Sequence, residues 1–135
     1  MILVDSSVLV DLLKGRDNPK TAMLETAVTQ SMPFGIAPYT YQEILQGARD
    51  QSEYSKVKEY LSTQRVYFLP EVIETYEKAA FMYYFLRRQG VTPRSTIDVL
   101  IALTAIEYNL LLLHNDKDFD LMAEKVPELK ILNSY

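Results

Sequence analysis

An apolar stretch with an acid near each end, residues 95–119, constrains this chain more than any other feature. Ile97, Val99, Leu100, Ile101, Ala102, Leu103, Ala105 and Ile106 make a helix that is apolar almost all round. A helix of that kind belongs inside a protein. The unbroken apolar run 110–113 that follows is the pattern of a strand covered on both faces. Asp98 opens the helix and Asp116 closes the strand. Charges seldom border a dry core without a partner or a task.

The rest of the chain repeats the alternation of short apolar runs and helices. Strand-like runs fall at 2–4, 34–37, 66–69 and 130–132. Between them, Ser6 or Ser7 offers an N-cap to a helix that stops near Gly15. Pro19 starts a second helix. Pro38 and Thr40 introduce a third, ending near Gly47. Residues 52–62 and 71–89 read as two more, the last one amphipathic and stopped by Gly90 and Pro93. Short apolar strands alternating with helices imply a central parallel sheet with helices on both faces, an α/β/α sandwich of three layers. With 135 residues, the expectation is one domain over 1–135 that buries roughly two thirds of its unfolded surface.

In such sheets ligands bind beyond the carboxyl ends of the strands. Asp5 and Asp116 lie at such ends. Asp98 and Glu43 read as first-turn helix residues, so all four acids are expected to meet at one sheet edge. Each acid also has a structural reading. Ser95 to Asp98 and Thr40 to Glu43 both have capping-box spacing. Asp5 can cap the helix after it, and Asp116 can be a turn residue. Asp118 directly precedes Phe119, where a helix is expected to start, so it reads as an N-cap. As a group, however, four neighbouring carboxylates repel one another and raise each other's pKa. An oxygen-only cluster of that kind suits Mg²⁺ or Mn²⁺.

Other chemistries fit less well. The loop 116–120 lacks the glycine and final glutamate of a calcium loop, since Leu121 and Pro127 stand there. The four glycines form no phosphate loop. The one histidine, His114, lacks a serine partner and reads as a hydrogen-bonded structural residue. With no cysteine there is neither disulfide nor thiolate site. The apolar start has no basic n-region and meets Asp5 at once, and no run approaches a membrane span. The expectation is a cytoplasmic protein without membrane contact. The net charge of −4 argues against nucleic acid only until four carboxylates are assigned to cations.

Three pieces in register, ILVDSSVLVDLL, YTYQEILQGAR and TIDVLIALTAIEYNLLLLHNDKDF, make the chain resemble the PIN-domain family, specifically its small VapC-like ribonuclease toxins of type II toxin–antitoxin systems. The resemblance implies a metal-dependent endoribonuclease using Mg²⁺ or Mn²⁺. Asp5, Glu43, Asp98 and Asp116 match the family's acidic positions. Asp5, Asp98 and Asp116 are implied as metal ligands, with Glu43 on a second ion or positioning the attacking water. Asp118 is a second candidate for the last position. His114 stands where the family usually carries a Thr or Ser hydroxyl. The implied partners are an RNA substrate, a cognate antitoxin and a second copy of the chain. Tyr41, Ile44, Leu45, Tyr54, Val57 and Tyr60 offer apolar surface for an antitoxin helix. Arg16, Arg49, Arg94 and Lys117 lie near the acidic motifs and are possible phosphate contacts.

Two alternatives remain beside that resemblance. One is a PIN-like interaction module without activity, which retention of all four acids disfavours. The other is a haloacid-dehalogenase-like phosphatase, which needs a second aspartate where Ser7 stands.

Overall fold

A computed structural model describes residues 1–133. Five strands, β1 (Ile2–Val4), β2 (Phe34–Ile36), β3 (Arg65–Val66), β4 (Leu111–Leu113) and β5 (Lys130–Ile131), form one sheet. All pair in parallel, in the order β3-β2-β1-β4-β5. Seven helices connect them: α1 (Ser6–Leu13), α2 (Pro19–Thr29), α3 (Pro38–Gln46), α4 (Gln51–Leu61), α5 (Ile73–Arg88), α6 (Thr96–Glu107) and α7 (Lys117–Lys125).

Strand side chains alternate between faces, and the two faces have separate cores. Leu3 and Leu112, partners in register, pack with Leu86 of α5, Ile101 and Ala105 of α6, and Phe119 and Met122 of α7. Ile2, Val4 and Leu113 pack on the opposite face with Val8 and Leu9 of α1, Leu24 of α2, Ile44 of α3 and Leu61 of α4. The helices before β3 therefore cover one face and those after it cover the other, which gives the expected three layers.

This division follows from crossover handedness. Parallel crossovers are almost always right-handed. The chain steps outward from β1 to β3, then returns past β1 to place β4 and β5 on its other side. Reversing direction with one handedness moves the helices to the other face. The order reverses between β1 and β4, and a doubly wound sheet has its ligand crevice at such a point, beyond the strands' carboxyl ends.

Several local readings change. The run expected as a strand at 66–69 pairs only through Arg65 and Val66, with one further bond from the Tyr67 amide to the Ile36 carbonyl. Its partner β2 ends at Ile36 because Pro38 begins α3, so no ladder remains beyond. Tyr67 and Leu69 are buried from a loop instead. Gly35 makes room for that loop: a Cβ there would stand 2.5 Å from the Tyr67 ring and 2.7 Å from the Arg65 carbonyl. Neither proposed capping box forms. Ala37 caps α3 without a side-chain bond, and the Ser95 hydroxyl accepts from the Ile97 amide. Glu43 is the sixth residue of α3 and so lies in its second turn, one turn later than expected. Among the described residues no helix is long and apolar enough to cross a membrane.

Candidate active and metal site

Asp5 is the first residue beyond β1. Its amide still donates to the Leu113 carbonyl of β4 at 2.9 Å, so the sheet fixes its backbone. Asp5 is the N-cap of α1, and Ser6 and Ser7, offered as caps by the sequence, are already helical: the Asp5 Oδ2 accepts from the Ser7 amide at 3.1 Å and from the Ser7 hydroxyl at 2.6 Å. The same hydroxyl accepts from the Asn115 amide at 2.9 Å. Ser7 thus ties the end of β1 to the loop after β4, across the crevice where the sheet order reverses. The Asp-Ser-Ser sequence after the first strand is the signal that could have pointed to this tie.

Asp98 sits in the first turn of α6, half-buried. Burial and the charges of Asp5, Asp116, Glu43 and Asp118 push its pKa up to about 6. Glu43 reaches in from α3, where the Ser6 hydroxyl donates to its Oε2 at 3.4 Å. Burial and the nearby Asp5 charge raise its pKa as well.

The loop after β4 brings two further acids. Asp116, not Asp118, is the N-cap of α7: its Oδ1 accepts from the Asp118 amide at 3.0 Å. The reading of Asp118 as a cap is therefore corrected. Counting from Asp116, Asp118 occupies the second helical position and turns inward, only 8% exposed. Arg94 spans the pair, with Nη2 donating to Asp116 Oδ1 at 3.1 Å and Nε to Asp118 Oδ2 at 2.8 Å. The sequence offers Arg94 only as a phosphate contact near the motifs. No spacing rule revealed its bond to residues more than twenty positions away.

His114 is structural, as its position suggested. Its Nδ1 accepts from the Asp116 amide at 3.0 Å, which assigns the proton of the neutral ring to Nε2, facing Asp120 Oδ1 at 3.1 Å. The ring packs on Phe119 and is 2% exposed. Burial lowers its pKa. It holds the Asp116 backbone and does not replace the absent hydroxyl among the acids.

Carboxylate oxygens of Asp98, Asp116 and Asp118 all lie within 4.8 Å of one another. Donors bound at about 2.1 Å to one octahedral ion stand roughly 3–4 Å apart, so small side-chain movements bring these three into its shell. The donors are all oxygen, and Asp98 is destabilised by neighbouring negative charge. Both facts fit a hard divalent cation. Asp5 and Glu43 lie outside that trio but close enough to act on Asp98 electrostatically. Of the other basic candidates, Arg16 pairs with Asp11 and Arg49 with Glu53. Such exposed pairs contribute little stability and break readily.

Comparison with known proteins agrees with this architecture. "Ribonuclease VapC11" of Mycobacterium tuberculosis is 30% identical over 128 residues, covering 91% of this chain and 92% of the relative. The structure of VapBC2 from Rickettsia felis, bound to a DNA fragment from its promoter, superposes with a TM-score of 0.76 over all of both chains at 18% identity. VapBC-1 from nontypeable Haemophilus influenzae gives 0.70 over 98% of both chains at 24% identity. At these identities the two structural likenesses carry the fold alone. The PIN domain model matches residues 2–125, which takes in every acid of the crevice, and the chain belongs to the PIN domain family.

Proposed function

We propose that this chain is the toxin of a toxin–antitoxin pair and that it hydrolyses RNA phosphodiesters at the crevice between β1 and β4. One observation carries the reading: three carboxylates from two segments converge within 4.8 Å, at the place where a parallel sheet binds ligands. The ribonuclease name of the mycobacterial relative and the toxin–antitoxin complexes among the structural neighbours support it.

Asp98, Asp116 and Asp118 would hold Mg²⁺ or Mn²⁺, with Asp5 beside them. When bound, the ion relieves charge on the phosphate and eases deprotonation of the attacking water. The chain's own groups prepare the place. Ser7 orients the Asp5 carboxylate. His114 and the α7 cap orient Asp116. Glu43, across the crevice with a raised pKa, is placed to position water and to accept its proton. Attack by water leaves a 5′-phosphate and a 3′-hydroxyl.

The antitoxin would lie in a groove between α1, α3 and α4. Val10, Leu13, Ile44, Val57 and Tyr60 line it, and Glu43 lies at its edge. The core absorbs most of the apolar residues expected there, leaving Tyr54 exposed. A helix seated in this groove could place a basic side chain against Glu43. A second copy of the chain would cover the outer side of α5, where Ile73 and Phe81 are 67% and 66% exposed.

The test is incubation of the purified chain with total RNA in chelator, then with Mg²⁺ or Mn²⁺ restored, and mapping of fragment ends. Cleavage only after metal is restored, leaving 5′-phosphates, is expected. Cleavage in chelator, or 2′,3′-cyclic phosphate ends, would overturn the reading.

A further inference from the structure

Arg94 is the one cation bridging the acidic trio among the described residues, and it occupies two of its three carboxylates. Asp118 is 88% buried at its side chain, and a carboxylate so enclosed needs a counter-charge. The guanidinium supplies it. The Arg94 side chain itself is 69% exposed, so it can leave without disturbing the core. A divalent ion among the same oxygens would supply the counter-charge more strongly and would repel a guanidinium a few ångströms away. The released group would stand at the mouth of the crevice, just before the Ser95 cap of α6. Its planar fork matches phosphate oxygens in pairs.

We propose that Arg94 holds the cation's place between Asp116 and Asp118 in the metal-free chain, surrenders it when a divalent ion enters, and then binds a backbone phosphate of the RNA. The proposal rests on the metal-dependent nuclease reading. It makes Arg94 a substrate-positioning residue whose two partners are exclusive.

The test follows the ¹⁵Nε–H signal of Arg94 by NMR in the full chain, with calorimetry on the same samples. Addition of Mg²⁺ should shift this signal and remove its protection from solvent exchange. A 5′-phosphorylated RNA dinucleotide whose internal bridging oxygen is replaced by a methylene group, so that hydrolysis cannot cut it, should then restore protection. Arg94→Ala should bind Mg²⁺ about fivefold or more tightly, because the competing cation is gone. It should also bind the dinucleotide more weakly than wild type. Arg94→Lys keeps the charge without the fork and should recover the wild-type Mg²⁺ affinity but not that for the dinucleotide. An Arg94 signal that stays protected while calorimetry reports bound Mg²⁺ would overturn the proposal and leave the nuclease reading standing. So would a dinucleotide affinity equal in wild type and Arg94→Ala. Failure of both wild type and Arg94→Ala to bind Mg²⁺ or Mn²⁺ would remove the nuclease reading, and this proposal with it.

Discussion

Asp98 is the residue where the cost of assembling this crevice concentrates. It is half-buried, and four other carboxylates act on it. Its folded pKa of about 6 lies above the usual 3.8. For such a group, the native state binds the proton more tightly than the unfolded chain does. Its contribution to stability is therefore complete below pH 3.8 and disappears as pH rises through about 6. In chelator, wild type should lose stability between about pH 4 and 6 relative to Asp98→Asn, which has no proton to lose. Thermal melts across that window check the sign, and parallel curves for the two proteins would contradict it. On the proposed reading Asp116 both caps α7 and holds the cation, and substitution can separate the two. Asparagine caps a helix about as well as aspartate, whereas alanine costs about 1 kcal/mol. Asp116→Asn should melt with wild type in chelator and lose its stabilisation by Mn²⁺. Asp116→Ala should lose both, and equal melts for the two variants would count against the cap.

At the scale of elements, the loop between β4 and α7 is held by a histidine that works only when neutral. His114 accepts from the Asp116 amide through Nδ1, and protonation would abolish that acceptor. Its folded pKa is lowered by burial. The stability it contributes is present above its unfolded pKa of 6.5 and is lost as pH falls through the folded value. His114 and Asp98 therefore act in opposite directions near pH 6. His114→Ala should cost about 1–3 kcal/mol by stranding the Asp116 amide and its neighbours, and denaturant melts at pH 7.5 would measure it. This element also marks where sequence reading stopped. Asp5, Asp98 and Asp116 were legible because each borders an apolar run whose period is plain. Asp118 reads as the cap because the expected start of α7, Phe119, lies two residues after the observed one, Lys117, and that shift exchanges the cap for an inward-facing acid. Glu43 was placed a turn early because Thr40 mimics a cap, although Pro38 already starts the helix. Its hydroxyl is buried without a partner, so it does no capping.

For the whole molecule, layers and strand direction were readable from alternation alone, but strand order was not. Short apolar runs look alike, and nothing in 2–4 or 110–113 says that these two lie side by side. Their adjacency brings Asp5, Ser7 and Asn115 together and opens the crevice. The same assembly leaves two apolar surfaces, the groove beside Glu43 and the outer side of α5. Phe81→Glu should shift a dimer to monomer in light scattering without abolishing RNA cleavage. Val57→Glu should abolish antitoxin co-purification and leave the dimer intact. Exchanged or absent effects would contradict these surface assignments. If the acids serve chemistry at the expense of stability, Asp98→Asn separates the two. Melts of this variant at pH 7.5, with chelator and with Mn²⁺, are paired with cleavage of total RNA. It should melt at or above wild type in chelator, gain almost nothing from Mn²⁺, and leave the RNA uncut. A variant that melts below wild type in chelator and still cuts RNA would contradict the account.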